Sequence, residues 1–314
     1  MAGRTEKKAH MRAGIIDCGT NTFHLLVAEW AEGGTCFEVL HRQREYVWLG
    51  ESGLDWIGRE AFDRGVACLE RFRGEMERNG VVQCLAFGTE ALRRAGNGPA
   101  FVAAAEAATG LTVRMISGLE EAHLIHRGVM QAVPPFEGKA LIMDIGGGSV
   151  EFIICDATKV FWARSFPIGL QVLHKGFQHN DPISAGDLAA LEHHLDSVLA
   201  PLLEALQIHE TPWLLGASGS FEVLEAFLVP VRQHELFSII PVSSYGPLHH
   251  RLLRMNAAER QRLPALPPER VRLIVVALVL MEFVIRRAGI REIITSAYAI
   301  KEGMLAELME GRLA

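Results

Sequence analysis

Short apolar runs, separated by turn residues, alternate with amphipathic stretches along the whole chain. Near the N-terminus, three apolar runs predict a meander of β-strands at Gly14–Asp17, Phe23–Trp30 and Phe37–Val47. The stretch Arg59–Asn79 repeats apolar residues at close to the helical period, and Asn79-Gly80 is a plausible C-cap for that helix. The pattern therefore predicts a small antiparallel sheet followed by a helix.

The second half of the chain repeats this order after the breaker Pro134-Pro135, with a meander predicted at Ala140–Asp144, Val150–Asp156 and Val160–Pro167. The remaining strands are predicted at Val81–Gly88, Leu111–Ile116, Trp213–Gly216 and Glu292–Ser296. The remaining helices are predicted at Gly98–Gly110, Glu120–Gln131, Ala185–Leu206, Phe221–Phe227, Pro267–Ala288 and Ile300–Glu310. Strands that alternate with helices in both halves predict an α/β fold with mixed sheets. We expect two domains, residues 13–133 and 134–297, with a hinge at Pro134-Pro135.

One motif occurs in both meanders: Ile16–Phe23 reads IDCGTNTF and Met143–Val150 reads MDIGGGSV. Each copy joins an apolar strand, an Asp, a turn of small residues and a second apolar strand. Three consecutive glycines cost about 1 kcal/mol each relative to alanine, so they favour a turn that a phosphate approaches closely. Either copy alone is also consistent with a plain hairpin, but together they predict two similar domains that face one phosphate-binding cleft.

A third turn of small residues, Gly216–Ser220, follows a predicted strand and opens a helix, whose first amides favour anions. The predicted phosphate-binding residues all lie in these three turns: Gly19, Thr20, Asn21, Thr22, Gly146, Gly147, Gly148, Ser149, Gly216, Ser218, Gly219 and Ser220.

Candidate metal ligands lie beside these turns. Asp17 ends a strand, where its carboxylate can ligate a hard cation directly or through water. Glu151 directly follows the second turn, and its residue pattern fits a metal ligand and an exposed hairpin residue equally well.

Ser117-Gly118-Leu119-Glu120 has the pattern of a capping box, which gives Glu120 a structural task at a helix N-terminus. Glu121 has no such task, and a carboxylate there suits the activation of a water molecule, although it also suits the helix dipole. Arg93 follows a predicted strand and suits a bidentate contact with phosphate, whereas Arg94 is expected to be solvated.

Composition narrows these possibilities. The 314 residues are 49% hydrophobic and carry a formal net charge of −6, which argues against nucleic acid or an anionic membrane as partner. Five scattered cysteines fit a reducing cytoplasm. The basic segment Met1–Arg12 is expected to be a leader without an apolar signal sequence, and Leu273–Leu280 a buried helix.

With these motifs in order, the chain resembles the exopolyphosphatase/guanosine pentaphosphate phosphohydrolase (Ppx/GppA) family, which belongs to the actin, sugar-kinase and heat-shock ATPase superfamily. The matching segments are Ile16–Val27 (IDCGTNTFHLLV), Gly88–Arg93 (GTEALR), Ile116–Ile125 (ISGLEEAHLI), Leu141–Phe152 (LIMDIGGGSVEF), Gly216–Ser220 (GASGS) and Lys301–Leu305 (KEGML). ISGLEEAHLI is the most specific of these, because it separates the family from kinases and chaperones of the same fold.

The resemblance implies duplicated ribonuclease H-like domains with mixed five-stranded sheets, and a C-terminal helix, about residues 298–314, that packs back on the first domain. It implies hydrolysis of a terminal phosphoanhydride with Mg²⁺ or Mn²⁺, and Glu121 and Arg93 as catalytic residues. It also implies Asp17, Asp144 and Glu151 around the metal, a cytoplasmic location and a homodimer.

Several positions depart from the family pattern. Trp48 stands where the family usually carries Arg, which removes a positive charge and suggests altered substrate binding. Ala91 and Val150 replace usual hydroxyl residues, and Arg270–Leu280 lacks the usual acidic and glycine residues. Because the sequence ends at Ala314, we expect the C-terminal domains of long members, and with them processivity, to be missing.

Three functions are consistent with this sequence. The first is a phosphatase that acts on polyphosphate or guanosine pentaphosphate, between which the residues do not choose. The second is a regulator that binds polyphosphate or guanosine tetra- or pentaphosphate with little turnover, as the departures suggest. The third, an ATP-dependent kinase, is disfavoured because ISGLEEAHLI supplies a carboxylate suited to directing water.

Overall fold

The chain divides into two compact units in a computed structural model, which describes residues 10–232 and 234–313. Of the described residues, those up to Ile116 and those from Met304 onward form the first unit, and those from Ser117 to Gly303 form the second. The helix after Ser117, which the sequence placed in the first domain, groups with the second unit. The expected domain boundary at Pro134 stays a prediction.

The first unit is built on a five-stranded mixed sheet in the order β3-β2-β1-β4-β5, in which β1 is antiparallel to β2 and parallel to β4. Its strands are β1 (His10–Cys18), β2 (Thr22–Ala31), β3 (Glu38–Tyr46), β4 (Gln83–Gly88) and β5 (Val113–Met115), and its helices are α1 (Arg59–Arg78), α2 (Glu90–Arg94) and α3 (Gly98–Thr109). His10–Arg12, expected to belong to the leader, instead begin β1, and the rest of the predicted leader lies outside the described residues.

Helix α1 packs on this sheet through its apolar face, where Leu69, Phe72 and Met76 are buried. Each such side chain contributes about 1.5–3 kcal/mol by leaving water. The approach is close enough that a Cβ at Gly14 of β1 would lie 2.3 Å from the sulfur of Met76. The missing side chain at Gly14 therefore lets the helix lie against the strand that leads to Asp17.

The second unit is built on a six-stranded sheet in the order β10-β11-β9-β6-β7-β8. Its strands are β6 (Ala140–Ile145), β7 (Val150–Cys155), β8 (Val160–Phe166), β9 (Trp213–Ala217), β10 (Phe237–Pro241) and β11 (Glu292–Ser296). Its helices are α4 (Gly118–Ala132), α5 (Leu170–Phe177), α6 (Ala185–Val198), α7 (Ala200–Ile208), α8 (Gly219–Leu228), α9 (Val242–Arg254), α10 (Ala257–Arg260) and α11 (Ile274–Ala288), and the division at Gly303 falls within α12 (Ile300–Met309).

The predicted mixed α/β fold is confirmed, with differences in the second unit. Its sheet has a sixth strand, β10, at the edge beside β11, where five strands were expected. Helices α5 and α9 were not predicted, and the helix expected from Pro267 begins only at Ile274, after a 3₁₀ turn at Pro268–Arg270. Among the described residues, no helix is both long and apolar enough to cross a membrane.

The two units repeat one register. Asp17 pairs with His24 across the β1–β2 hairpin, and Asp144 pairs with Glu151 across the β6–β7 hairpin. In each unit the first hairpin strand has a parallel neighbour, β4 or β9, on its other side. Since the carboxyl ends of parallel strands meet at one edge of a sheet, each unit brings a hairpin turn beside the start of a helix.

Candidate functional site

The hairpin turns of the two units close in the same way. The Gly19 N–H donates to the Thr22 carbonyl at 3.1 Å, and the Gly146 N–H donates to the Ser149 carbonyl at 3.0 Å. A Cβ on Gly19 or Gly146 would lie 2.9 Å from that same carbonyl oxygen. Both turns therefore require glycine at their first position, and the duplicated sequence motif corresponds to a duplicated backbone geometry.

A loop after β3 covers the carbonyl side of the first turn. The N–H groups of Val47 and Trp48 both donate to the Asn21 carbonyl at 3.0 Å, and the Gly50 N–H donates to the Thr20 carbonyl at 3.3 Å. Thr20 and Asn21 are buried, and the Asn21 Oδ1 atom has no hydrogen-bond partner among the described residues. A buried polar atom without a partner is costly, so this oxygen is suited to a ligand that donates to it or to a cation.

The start of α5 covers the second turn in the same manner. The Gly169 and Leu170 N–H groups donate to the Gly148 and Gly146 carbonyls, both at 3.0 Å. A Cβ on Gly169 would lie 2.4 Å from the Gly147 carbonyl carbon, so only glycine fits there. The N–H groups of Gly147 and Gly148 form no hydrogen bond to any part of the chain that is described, which suits them to an anion.

The third turn lies beside the second, because β9 runs parallel to β6. The Ser218 hydroxyl donates to the Ile145 carbonyl at 3.0 Å and accepts from the Ile145 N–H at 3.2 Å. Ser218 holds a φ of 77°, a left-handed conformation that is uncommon outside glycine and concentrates at functional sites. Two of the predicted phosphate-binding turns are therefore fixed to each other within the second unit.

Side chains explain both glycines of this third turn. A Cβ on Gly216 would lie 2.0 Å from the buried Phe221 ring, which gives Gly216 a packing role, and its phosphate contact stays a prediction. A Cβ on Gly219 would lie 1.8 Å from a guanidinium nitrogen of Arg270, so that cation lies against the start of α8. The Ser220 hydroxyl next to Gly219 is 1% exposed and has no partner among the described residues.

Asp144, Glu151 and Ser165 form one cross-strand row over β6, β7 and β8. Both carboxylates are buried, and the Ser165 hydroxyl donates to Oε1 of Glu151 at 2.6 Å. The alternative interpretation of Glu151, as an exposed residue of the hairpin, is thereby excluded. The sequence analysis did not predict a role for Ser165, because its position opposite Glu151 follows only from the pairing of β7 with β8.

Burial raises the pKa of Asp144 to about 6, against the opposing influence of the Ser218 hydroxyl and the positive charge of Lys301. Lys301 belongs to the KEGML segment but had been given no role. Because burial is the main cause of this shift, a divalent cation bound beside the carboxylate would favour its charged form.

Helix α4 starts against this row. The predicted capping box is present: the Ser117 hydroxyl accepts from the Glu120 N–H at 3.2 Å, and the Glu120 carboxylate accepts from the Ser117 N–H at 2.8 Å. A Cβ on Gly118 would lie 2.5 Å from that of Ser165. Since positions three apart share a helix face, the buried Glu121 lies on the face that Gly118 presents to Ser165. Glu121 is outside the box, although this residue has interactions of its own.

Arg93 lies beside the first turn. The Thr89 N–H donates to the Cys18 carbonyl at 3.3 Å and thereby joins the start of α2 to the end of β1. The Arg93 guanidinium donates to Oε2 of Glu90 and to the Ile116 carbonyl, both at 2.5 Å. Arg94 pairs with the exposed Asp55 at 2.9 Å, as expected of a solvated residue. Arg93 is therefore held in one orientation at the end of the β1–β4 strand pair.

No cluster of three or more His, Cys, Asp and Glu side chains able to hold a metal occurs in the described ranges. Asp144 and Glu151 supply two carboxylates in one unit, and Asp17 occupies the corresponding strand position in the other. Mg²⁺ usually keeps several waters and takes one or two carboxylates plus substrate phosphates, so the Asp144–Glu151 pair of the second unit fits such an ion.

Comparison with known proteins assigns the chain to a class of phosphatases. The Ppx/GppA phosphatase family matches residues 26–311, and the chain belongs to this family. The structure of an exopolyphosphatase from Cytophaga hutchinsonii is 33% identical with a TM-score of 0.91, covering 96% of this chain and 98% of that one.

Two further structures support the fold alone. A Ppx/GppA family member from Aquifex aeolicus is 21% identical with a TM-score of 0.80, covering 98% of this chain and 100% of that one. An exopolyphosphatase-like protein is 23% identical with a TM-score of 0.86, with the same coverage. The predicted family and the predicted enzyme class, a hydrolase acting on acid anhydrides, are confirmed by the family match and the Cytophaga structure.

Proposed function

We propose that the protein removes the terminal phosphate from a phosphoanhydride chain, with inorganic polyphosphate or guanosine pentaphosphate as substrate. The observation that carries this proposal is the arrangement in the second unit, where a carboxylate at the start of α4 lies on the helix face that meets Ser165, the hydrogen-bond partner of Glu151. The name of the Cytophaga hutchinsonii relative supports the polyphosphate substrate.

In this proposal Glu121 is the general base. Its carboxylate accepts a proton from water while the water oxygen forms a bond to the terminal phosphorus, and the bridging P–O bond breaks toward the shortened chain. Glu121 is only 7% exposed, and its helix turn is fixed by the capping box, so the carboxylate is positioned before substrate binds. Glu120 is the adjacent carboxylate and serves the cap.

The phosphate chain is held by the turns that lie together in the second unit. The Gly147 and Gly148 N–H groups, the Ser220 hydroxyl and the Arg270 guanidinium are the donors that support this role. The Gly19–Thr22 turn and Arg93 of the first unit are proposed to bind phosphate oxygens as well.

Asp144 and Glu151 would hold the divalent metal, and Asp17 is proposed as a further ligand. A bound Mg²⁺ or Mn²⁺ would neutralise charge that develops on the phosphate oxygens. The Ser165 hydroxyl keeps Glu151 in one orientation for that purpose. A homodimer and a cytoplasmic location stay predictions from the sequence.

The test is phosphate release by the purified protein from long-chain polyphosphate and from guanosine pentaphosphate, with Mg²⁺, with Mn²⁺ and with a chelator. Release from at least one substrate, lost on chelation and restored by added metal, is expected. Tight binding in calorimetry without release from either would contradict the proposal and favour the binding regulator instead.

A further inference from the structure

Two aromatic rings stand directly beside the phosphate-binding turn of the first unit. The Tyr46 and Trp48 rings are stacked, with centroids 5.7 Å apart and planes inclined by 23°. Both side chains are half-buried, so each ring keeps exposed surface. The backbone N–H of Trp48 donates a hydrogen bond to the Asn21 carbonyl at 3.0 Å. The aromatic pair is therefore attached to the turn itself.

The loop that carries Trp48 is held from several directions. Arg64 of α1 donates to the Val47 carbonyl through Nε at 3.1 Å and through Nη2 at 3.0 Å, and it pairs with Glu51 at 2.8 Å. Gly50 lies so close to Thr20 that a Cβ would be 2.7 Å from the threonine methyl group. A loop fixed in this way presents the rings in one place, which lowers the entropy lost when a ligand stacks on them.

The backbone at Trp48 is itself unusual. Its φ is 56°, a left-handed conformation that is a genuine outlier for a bulky residue. The hydrogen bonds from Trp48 N–H to Asn21 and from the Glu51 N–H to the Trp48 carbonyl, at 3.1 Å, maintain this conformation. Backbone strain of this kind concentrates at ligand-binding sites.

We infer that Tyr46 and Trp48 form a stacking platform for the base of a nucleoside polyphosphate whose phosphates are bound at the Gly19–Thr22 turn. This inference rests on the proposed function in placing phosphates there. The face of an aromatic ring is electron-rich and does not attract an inorganic phosphate chain, whereas every base has a face that stacks on it. The unpartnered, buried Asn21 Oδ1 beside the platform is a second feature that awaits a ligand.

The site would then accept polyphosphate chains with or without a nucleoside, and Trp48 would decide the preference between them. The chain offers a matched control in Trp56 of the same unit, which is 64% exposed and lies against Gly96 outside the platform. The informative variants are Trp48→Ala, Trp48→Phe, which keeps a ring, and Trp56→Ala.

The experiment measures, by calorimetry with Mg²⁺, the binding of guanosine triphosphate and of inorganic triphosphate, two ligands with equal phosphate number. Wild type is expected to bind the nucleotide more tightly. Trp48→Ala should weaken nucleotide binding by about 5- to 150-fold, the loss expected for one stacked base, and leave the binding of inorganic triphosphate unchanged. Trp48→Phe should retain most of the wild-type affinity for the nucleotide, and Trp56→Ala should change the affinity for neither ligand.

Equal affinity of wild type for the two ligands, or an equal effect of Trp48→Ala on both, would overturn the platform. Phosphate release separates this inference from the proposed function. If the protein binds the nucleotide through Trp48 but releases no phosphate from any substrate, the stacking platform is supported and the proposed hydrolase function is wrong. If the protein cleaves polyphosphate but Trp48→Ala leaves its affinity for the nucleotide unchanged, the proposed hydrolase function is supported and the stacking platform is wrong.

Discussion

Ser165 donates a 2.6 Å hydrogen bond to the buried carboxylate of Glu151 from the neighbouring strand. The same serine is the residue against which Gly118 begins helix α4. One hydroxyl group therefore links a proposed metal ligand to the helix that carries the proposed general base. A small change at this position tests whether the two belong to one site.

Ser165→Ala removes that donor and leaves Glu151 less firmly oriented. Loss of a hydrogen-bond partner behind a ligand weakens metal affinity by about 10- to 100-fold, so the Mg²⁺ concentration for half-maximal phosphate release should rise by that factor. The maximal rate at saturating Mg²⁺ should change much less. An unchanged Mg²⁺ dependence would separate Glu151 from the metal.

Gly219→Ala tests the role of Arg270. The new Cβ would lie 1.8 Å from a guanidinium nitrogen at the end of a flexible side chain, so Arg270 must move while the fold adjusts. We expect KM for the phosphate chain to rise by about 10-fold, as for a lost charge-assisted hydrogen bond. Gly74→Ala in α1 is the control, because its Cβ would meet only an ordinary contact at 3.8 Å. Equal KM values in the two variants would exclude Arg270 from substrate binding.

Ser117→Ala tests how far the capping box positions Glu121. Removal of the cap should cost about 1 kcal/mol of stability in urea denaturation. Ser184→Ala removes an N-cap of the same kind from α6, where the serine hydroxyl accepts from the Asp187 N–H at 3.0 Å. Both variants should lose similar stability, but only Ser117→Ala should lower kcat. A parallel fall in kcat in both would show that activity follows stability alone.

Glu225 should make stability depend on pH. Burial raises its pKa, but hydrogen bonds from Arg232, Ser238 and Thr295 together outweigh burial and hold the pKa of Glu225 below its usual value. Because the folded pKa is depressed, this contribution is present above the unfolded pKa, about 4.3, and is lost as pH falls through the folded pKa.

Glu225→Gln should therefore lower the free energy of unfolding at pH 7 by about 1–3 kcal/mol, the cost of removing a charged hydrogen-bond partner. The difference from wild type should shrink as the pH is lowered below 4.3. Urea denaturation at pH 7 and below pH 4 measures both quantities, and Glu204→Gln on the exposed face of α7 is the control. A stability difference between Glu225→Gln and wild type that is the same at both pH values would contradict a depressed pKa of Glu225 in the folded protein.

The sequence predicted those parts of the fold and site that are local in the chain. The Asp-turn hairpins and the Ser117–Glu120 box are contiguous, and each has a backbone geometry that few residue types allow. Helix α9 was missed because Pro247 lies inside it, which ordinarily argues against a helix. Helix α5 was missed because its short apolar pattern is completed only by its contact with the Gly146–Ser149 turn.

The residues of the site that were missed share one property, which is distance along the chain from the motifs they serve. Ser165 reaches Glu151 only through strand register, Arg270 reaches Gly219 only through tertiary packing, and Lys301 affects Asp144 only in the fold. No periodicity or spacing in a single sequence contains these relationships. The six-stranded sheet was missed for the same reason, because β10 pairs with a strand, β11, that follows more than fifty residues later.

The most direct test of the account is the initial rate of phosphate release from polyphosphate at saturating Mg²⁺, compared between Glu121→Gln and Glu120→Gln. The two changes are chemically identical and adjacent in the first turn of α4, and glutamine can still complete the capping box at position 120. Glu121→Gln should reduce the rate by about 100-fold or more, as for loss of a general base, while Glu120→Gln stays close to wild type. A Glu121→Gln rate equal to that of wild type, or an equal loss in both variants, would contradict the assignment of Glu121 to water activation.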